Sequence, residues 1–215
     1  MRKSSLEKKP LQSLAVLGFM KHLLFLATAL GMLMGSSWPP PAPRDSHSIK
    51  SLSSKLGLSY PPPNIRLTID KSDRRMILFS GDTEIKRYRV GLGGAPAGPK
   101  RMEGDLKTPT GTYTVVLKNP RSAYHLFLGI NYPNAADSKV GLDEARITKK
   151  QAERIQYAER KGARPSWSTP LGGAIGIHGG GGNTDWTLGC IAVSNVEIEG
   201  LWHVVKEGTP VVISE

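Results

Sequence analysis

The chain contains a single cysteine, Cys190, among its 215 residues. One thiol excludes an internal disulfide, and in an exported protein a lone cysteine is more often kept for chemistry or buried than used for bridging. Aromatic residues make up only 7% of the sequence. After residue 45 they do not cluster with basic residues as they do in proteins that bind single-stranded nucleic acid. We therefore predict no nucleic-acid partner.

Acidic residues are also scarce. The 18 Asp and Glu residues stand against 29 Lys and Arg residues, which gives a formal net charge of +11. Such an excess favours an anionic surrounding, and a membrane surface or an acidic wall polymer fits it.

Long apolar runs are missing except near the start of the chain. Leu23–Leu33 is apolar, lysines precede it, and Gly35–Ser37 supplies small residues for cleavage. Residues 1–38 are therefore predicted to be an export signal or a membrane anchor. Residues 39–63 are rich in Pro and Ser and are predicted to be a linker. We expect an exported protein of the periplasm or cell envelope, which touches the membrane only through its N-terminal segment.

The rest of the chain, residues 64–215, has the pattern of a mainly β domain. Short alternating runs separated by turn residues predict strands. Capping boxes predict two helices, Thr148–Lys161 and one from Ser194 to about Lys206. We predict a curved mixed sheet or sandwich with two or so helices at its edge. The predicted strands are Ile65–Ile69, Met76–Phe79, Ile85–Val90, Tyr113–Leu117, Leu126–Ile130, Ala174–His178, Cys190–Val193 and Pro210–Ile213.

No cofactor or metal is predicted. The glycine-rich segment Gly91–Gly98 contains GLGG, but the full GxGxxG is absent and no helix pattern follows, so it is predicted to be a flexible loop. His178, Asp185 and Cys190 are all of residue types that can bind zinc, so a zinc site formed by these three is an alternative to consider. A structural zinc site needs four protein ligands, and a catalytic site usually needs three at tighter spacing.

The stretch Ile175–Asn195, which reads IGIHGGGGNTDWTLGCIAVSN, holds the residues best suited to catalysis. His178 ends one predicted strand and Cys190 begins the next. The glycine-rich loop between them can fold back and bring the imidazole to the sulfur. The thiolate is the nucleophilic form of cysteine, and a nearby imidazole is the usual base that generates it. A buried cysteine and a merely hydrogen-bonded histidine are the alternative interpretation.

Several separated motifs resemble the L,D-transpeptidase catalytic domain family of cell-wall enzymes. They are His178–Gly179, the TLGCIAVSN of Thr187–Asn195, the GDLKTPTGTY of Gly104–Tyr113 and the YPN of Tyr132–Asn134. They occur in the order found in the family, and the resemblance covers residues 64–215.

The resemblance implies a fold of the L,D-transpeptidase type, with Cys190 as nucleophile and His178 as general base and acid. In this family the cysteine attacks the third residue of a peptidoglycan tetrapeptide stem and releases D-alanine. The acyl group then passes to an amine on a neighbouring stem, on a wall-anchored protein or on a free D-amino acid. No cofactor is implied. The residues implied to contact the substrate or its oxyanion are Gly179, Gly189, Thr187 and Asn195.

Two positions depart from the family pattern. Leu188 stands where many members have histidine, and Ala192 stands where many have arginine. These changes leave a thiol hydrolase on the same substrate, or a non-catalytic wall-binding module, as alternatives. Asn195 has a second interpretation beside the cap of the last helix. Trp186 is predicted to pack under the loop rather than stack on substrate.

Overall fold

A computed structural model describes residues 47–215. Within this range no helix combines the length and the apolar character that crossing a membrane requires. The predicted export signal or anchor, residues 1–38, lies outside the described residues. Residues 39–46, the first part of the predicted linker, also lie outside the described residues.

The described strands follow the alternation of the sequence. In the first strand Leu67 and Ile69 are buried, and Arg66 and Thr68, which alternate with them, are half-buried on the other face. This is the period of two expected for a sheet with one face on the core. The strands are β1 (Ile65–Asp70), β2 (Arg75–Ser80), β3 (Thr83–Arg89), β4 (Gly111–Ser122), β5 (His125–Ile130), β6 (Gly176–His178), β7 (Ile191–Ala192) and β8 (Pro210–Ser214).

These strands form one mixed sheet in the order β3-β2-β1-β8-β4-β5-β6-β7. The first three strands form the predicted antiparallel meander, while β1–β8 and β6–β7 are parallel pairs. The sheet confirms the predicted fold class, a mainly β protein with a curved mixed sheet. Strands β6 and β7 lie side by side at one edge of this sheet. His178 is the last residue of β6, and Cys190 directly precedes β7.

The described residues contain four helices, so the expectation of about two was too low. Both helices predicted from capping boxes are present. Residues 135–143 also form a helix, because Asn134 and Asp137 make a capping box of their own. The helices are α1 (Ile49–Lys55), α2 (Ala135–Asp143), α3 (Lys149–Arg160) and α4 (Asn195–Val204).

Helix α1 lies inside the segment predicted to be a linker, yet it packs on the domain. Its first residue, Ile49, is buried in the main hydrophobic core, near Gly200 of α4. Burying such a side chain contributes about 1.5–3 kcal/mol. The second, smaller core cluster lies between α2, α3 and the following loop, and consists of Ile147, Ala152, Ile155 and Leu171.

The segment Gly91–Gly98 differs from the flexible loop predicted for it. Gly91 exchanges two backbone hydrogen bonds with Ala192, of 2.8 and 2.9 Å. Thr187 donates to the Leu92 carbonyl at 3.1 Å and accepts from the Gly94 N–H at 3.0 Å. The start of this segment is therefore paired with the chain on both sides of Cys190.

Candidate active site

The pairing of β6 with β7 places His178 and Cys190 on one face of the sheet. His178 lies opposite Ala192 in the parallel register, and Ile177 lies opposite Ile191. Side chains two residues apart on a strand point the same way, so Cys190 shares the face of Ala192 and hence of His178. The two isoleucines point the other way and are fully buried in the core. The side chains of His178 and Cys190 line the same groove, of about 610 Å³.

The imidazole of His178 is held in one tautomer. Its Nδ1 lies 2.6 Å from the carbonyl oxygen of Gly179. A carbonyl can only accept, so Nδ1 carries the proton and Nε2 is the free acceptor of the neutral ring. The side chain is only 2% exposed. Burial lowers the pKa of His178, and the hydrogen bond to Gly179 partly offsets this effect.

The thiol of Cys190 is half-buried and donates to the carbonyl of Ala174 at 3.4 Å. Burial raises its pKa to about 11, although a backbone hydrogen bond at Gly176 and the charge of Lys100 act in the opposite direction. With the pKa of His178 lowered as well, the site holds a neutral thiol and a neutral imidazole near pH 7.

Two aromatic side chains flank the imidazole. Tyr124, at the turn between β4 and β5, stacks on His178 with ring centroids 4.7 Å apart. Trp186 meets both rings edge-on, at 5.4 Å from Tyr124 and 5.6 Å from His178, and its Nε1 donates to the carbonyl of Gly181 at 3.0 Å. Trp186 therefore packs on the loop, and its partly exposed ring also lines the groove. Tyr124 was not foreseen, because only the tertiary fold brings this turn to His178.

Thr187 and Gly189 shape the turn that presents the thiol. The Thr187 hydroxyl donates to the Cys190 carbonyl at 2.8 Å and accepts from the Gly189 N–H at 3.1 Å. Gly189 has φ of +133°, and a Cβ there would lie 2.6 Å from the carbonyl oxygen of Lys107. Only glycine fits this position without strain.

Asn195 fixes the loop behind His178. Its Oδ1 accepts from the N–H of Gly180 at 2.9 Å. A Cβ at Gly179 would lie 2.4 Å from the same oxygen, so the side chain of Asn195 packs directly against this glycine. Asn195 is also the first residue of α4, directly after the cap residue Ser194, as its second interpretation has it; its contact with a substrate stays a prediction.

The two glycine N–H groups implied to bind an oxyanion already have acceptors. Gly179 donates to the carbonyl of Tyr124 at 3.1 Å, and Gly189 donates to the Thr187 hydroxyl at 3.1 Å. A substrate oxygen at either N–H would have to replace or share these bonds. The oxyanion role of both glycines stays a prediction.

The two departures from the family pattern lie in different surroundings. Leu188 is 75% exposed and lines the groove, so it presents an apolar surface beside the thiol. Ala192 is fully buried and bonded through its backbone to Gly91. Neither position supplies a charge to the groove.

Residues of the upstream motif GDLKTPTGTY form hydrogen bonds with neighbours of the candidate site. The Asp105 carboxylate binds Lys100 Nζ at 2.8 Å and the N–H groups of Arg101 and Lys107 at 2.7 and 3.0 Å. Thr108 is buried, and its hydroxyl accepts from the Gly93 N–H at 3.0 Å. These bonds join the motif to the groove wall and to the segment that pairs with Thr187 and Ala192 on either side of Cys190.

Asp185, considered as a metal ligand, is bound to other groups. Its carboxylate forms an ion pair with Arg74 at 2.8 Å and accepts from the Leu92 N–H at 2.9 Å. Within residues 47–215 no three His, Cys, Asp or Glu side chains are grouped so that they could hold a metal ion.

The comparison with protein families decides what kind of domain this is. Residues 64–213 match the family described as L,D-transpeptidase catalytic domain (YkuD). The chain belongs to this L,D-transpeptidase family. A search of curated proteins finds no match.

Solved structures of similar fold include L,D-transpeptidases and a helical cell shape determining protein. The helical cell shape determining protein Pgp2 of Campylobacter jejuni (K307A mutant) is 25% identical with a TM-score of 0.50, over 80% of this chain and 57% of that chain. An L,D-transpeptidase of Mycobacterium smegmatis is 12% identical with a TM-score of 0.43, over 72% of this chain and 60% of that chain. Bd1075 of Bdellovibrio bacteriovorus is 21% identical with a TM-score of 0.44, over 73% of this chain and 49% of that chain. This L,D-transpeptidase domain thus spans about half to three fifths of these structures.

Proposed function

We propose that the protein is an exported, cysteine-dependent L,D-transpeptidase that acts on peptidoglycan peptide stems. The observation that carries this proposal is the placement of Cys190 and His178 on one sheet face and in one groove. Membership of the L,D-transpeptidase family supports the same substrate class. The predicted export signal supports a location in the periplasm or cell envelope. The likeness to a cell-shape protein agrees with a role in wall organisation.

The first half of the reaction forms an acyl-enzyme. The thiol proton of Cys190 passes to Nε2 of His178 as Sγ attacks the carbonyl carbon of the third stem residue. The C–N bond to D-alanine breaks, and the imidazolium returns its proton to the leaving amine. The Gly179 carbonyl stabilises the imidazolium through Nδ1.

The second half transfers the acyl group. An acceptor amine attacks the thioester and gives its extra proton to His178. The C–S bond breaks, and the sulfur of Cys190 takes the proton back as a thiol. The acceptor is an amine of a neighbouring stem, of a wall-anchored protein or of a free D-amino acid.

Hydrolysis of the same acyl-enzyme is the second candidate. It is favoured by the surroundings of Leu188 and Ala192, which leave the groove without the polar and cationic side chains that many members have there. Water then replaces the amine in the second half, and the enzyme acts as a carboxypeptidase or amidase. The first half and its residues are unchanged.

Product analysis with purified protein and tetrapeptide muropeptides tests the proposal. We expect release of D-alanine that is lost in Cys190→Ala and strongly reduced in His178→Ala. A cross-linked dimer indicates transfer, and a shortened monomer indicates hydrolysis. Unchanged release in Cys190→Ala would rule out both reactions. Wall binding that persists in this variant, with no release in the wild type, would favour a non-catalytic wall-binding module.

A further inference from the structure

The groove has two chemically different ends with the thiol between them. One end is aromatic and is formed by Tyr124 and Trp186 beside His178. The other end is lined by Lys100, Glu103, Gly104 and residues 172–174. Cys190 lies at the junction, because its sulfur contacts the carbonyl of Ala174 at 3.4 Å. A substrate that reaches the thiol can therefore extend towards the second end, which the proposed mechanism does not use.

Glu103 lies at this second end of the groove, and its backbone is held by contacts with neighbouring segments. Its N–H donates to the carbonyl of Pro170 at 2.9 Å. Gly172 has φ of +79°, and a Cβ there would lie 3.2 Å from the Cα of Glu103, so the two segments are in close contact. On the other side, Asp105 accepts from the N–H groups of Arg101 and Met102 at 2.7 and 3.1 Å.

The carboxylate of Glu103 makes no hydrogen bond or ion pair with any residue of the described range 47–215. The neighbouring cation of the groove, Lys100, is only 4% exposed and is already bound to Asp105 at 2.8 Å and to the Met102 carbonyl at 3.0 Å. Glu103 is the one acidic side chain among the described residues that line this groove. The second end thus offers a partly solvated negative charge without a partner.

We propose that Glu103 is a specificity-determining residue that binds a protonated amine of the peptide stem. An ammonium group donates charge-assisted hydrogen bonds to a carboxylate, which fits the unpaired charge at this end of the groove. The identity of the ligand as a stem rests on the proposed function. Glu103 is exposed, so the expected preference for an ammonium group is modest, about fivefold in affinity.

A binding experiment tests this proposal without turnover. The full chain carrying Cys190→Ala is titrated with a synthetic tetrapeptide that has lysine third and D-alanine last, and with the same peptide acetylated on the lysine amine. We expect the ammonium form to bind about fivefold more tightly at low salt, and the preference to shrink as salt is raised. Adding Glu103→Gln should make the two affinities equal.

Glu153→Gln, on the exposed face of α3, is the matched control because it removes one exposed carboxylate far from the groove lining. It should leave the preference unchanged.

Equal affinities of the two peptides for the Cys190→Ala protein would overturn the proposal, and so would a preference that survives Glu103→Gln. Absence of any peptide binding would overturn it too. Failure of the proposed function is a separate result, because wild-type protein would then release no D-alanine even where the Glu103-dependent preference is present.

Discussion

Replacing Gly189 with alanine tests the tight turn that presents the thiol. The new Cβ would lie 2.6 Å from the carbonyl oxygen of Lys107 and 3.1 Å from Cδ1 of Ile175, at φ of +133°. A non-glycine residue in such a backbone conformation costs about 1–3 kcal/mol. The contact with a main-chain oxygen cannot be relieved by a change of rotamer, and overpacking of this kind adds about 1–3 kcal/mol.

Gly181→Ala is the matched control for this prediction. Gly181 also has a positive φ, +109°, but no atom lies within 4 Å of a Cβ built there. The Gly181→Ala variant should therefore lose only the stability that the unfavourable backbone conformation costs, about 1–3 kcal/mol. Urea unfolding of the full chain measures both free energies. We expect Gly189→Ala to be less stable than Gly181→Ala by about 1–3 kcal/mol, and equal stability would refute the close approach of Lys107.

Three further predictions concern charged and titrating groups. Burial raises the pKa of Asp137 from 3.8 to about 6, so its contribution favours folding below pH 3.8 and is lost as pH rises past 6. Asp137→Asn should therefore stabilise the protein by up to about 3 kcal/mol at pH 7.5, which would appear as a higher thermal midpoint. The same change should have little effect at pH 3.5. Equal effects at both pH values would contradict the raised pKa of Asp137. Asp185→Asn removes the ion pair with Arg74 and should cost about 1 kcal/mol in urea unfolding, whereas Asp82→Asn, fully exposed, should cost nothing measurable. Alkylation of Cys190 by iodoacetamide should rise with pH to a midpoint near 11, and a midpoint at or below the ordinary value of 9.0 would contradict the effect of burial on the pKa of this thiol.

Much of the fold could be predicted because its signals are local. Alternation of buried and outward residues gave the meander, and the capping boxes at Thr148 and Ser194 gave α3 and α4. Helix α2 was not predicted, although the same signal is present at Asn134 and Asp137. The sequence of α2 has no clear apolar face, so the capping box was its only strong indication.

The parts that could not be predicted depend on contacts between distant segments. Lys71 lies in the turn after β1, and its ammonium is buried against the carboxylate of Glu215 at 2.8 Å. Tyr124 stacks on His178 only because β5 pairs with β6. Glu103 reaches the groove only because its loop lies against Gly172. Neither alternation nor capping carries information about such pairs.

The mass of the intact protein after rapid mixing with a tetrapeptide stem tests the central claim most directly. We predict an adduct equal to the stem without its D-alanine, located by digestion on the peptide that contains Cys190. The adduct should form much more slowly in His178→Ala and not at all in Cys190→Ala. An adduct on another residue, or D-alanine release with no dependence on either side chain, would contradict the account.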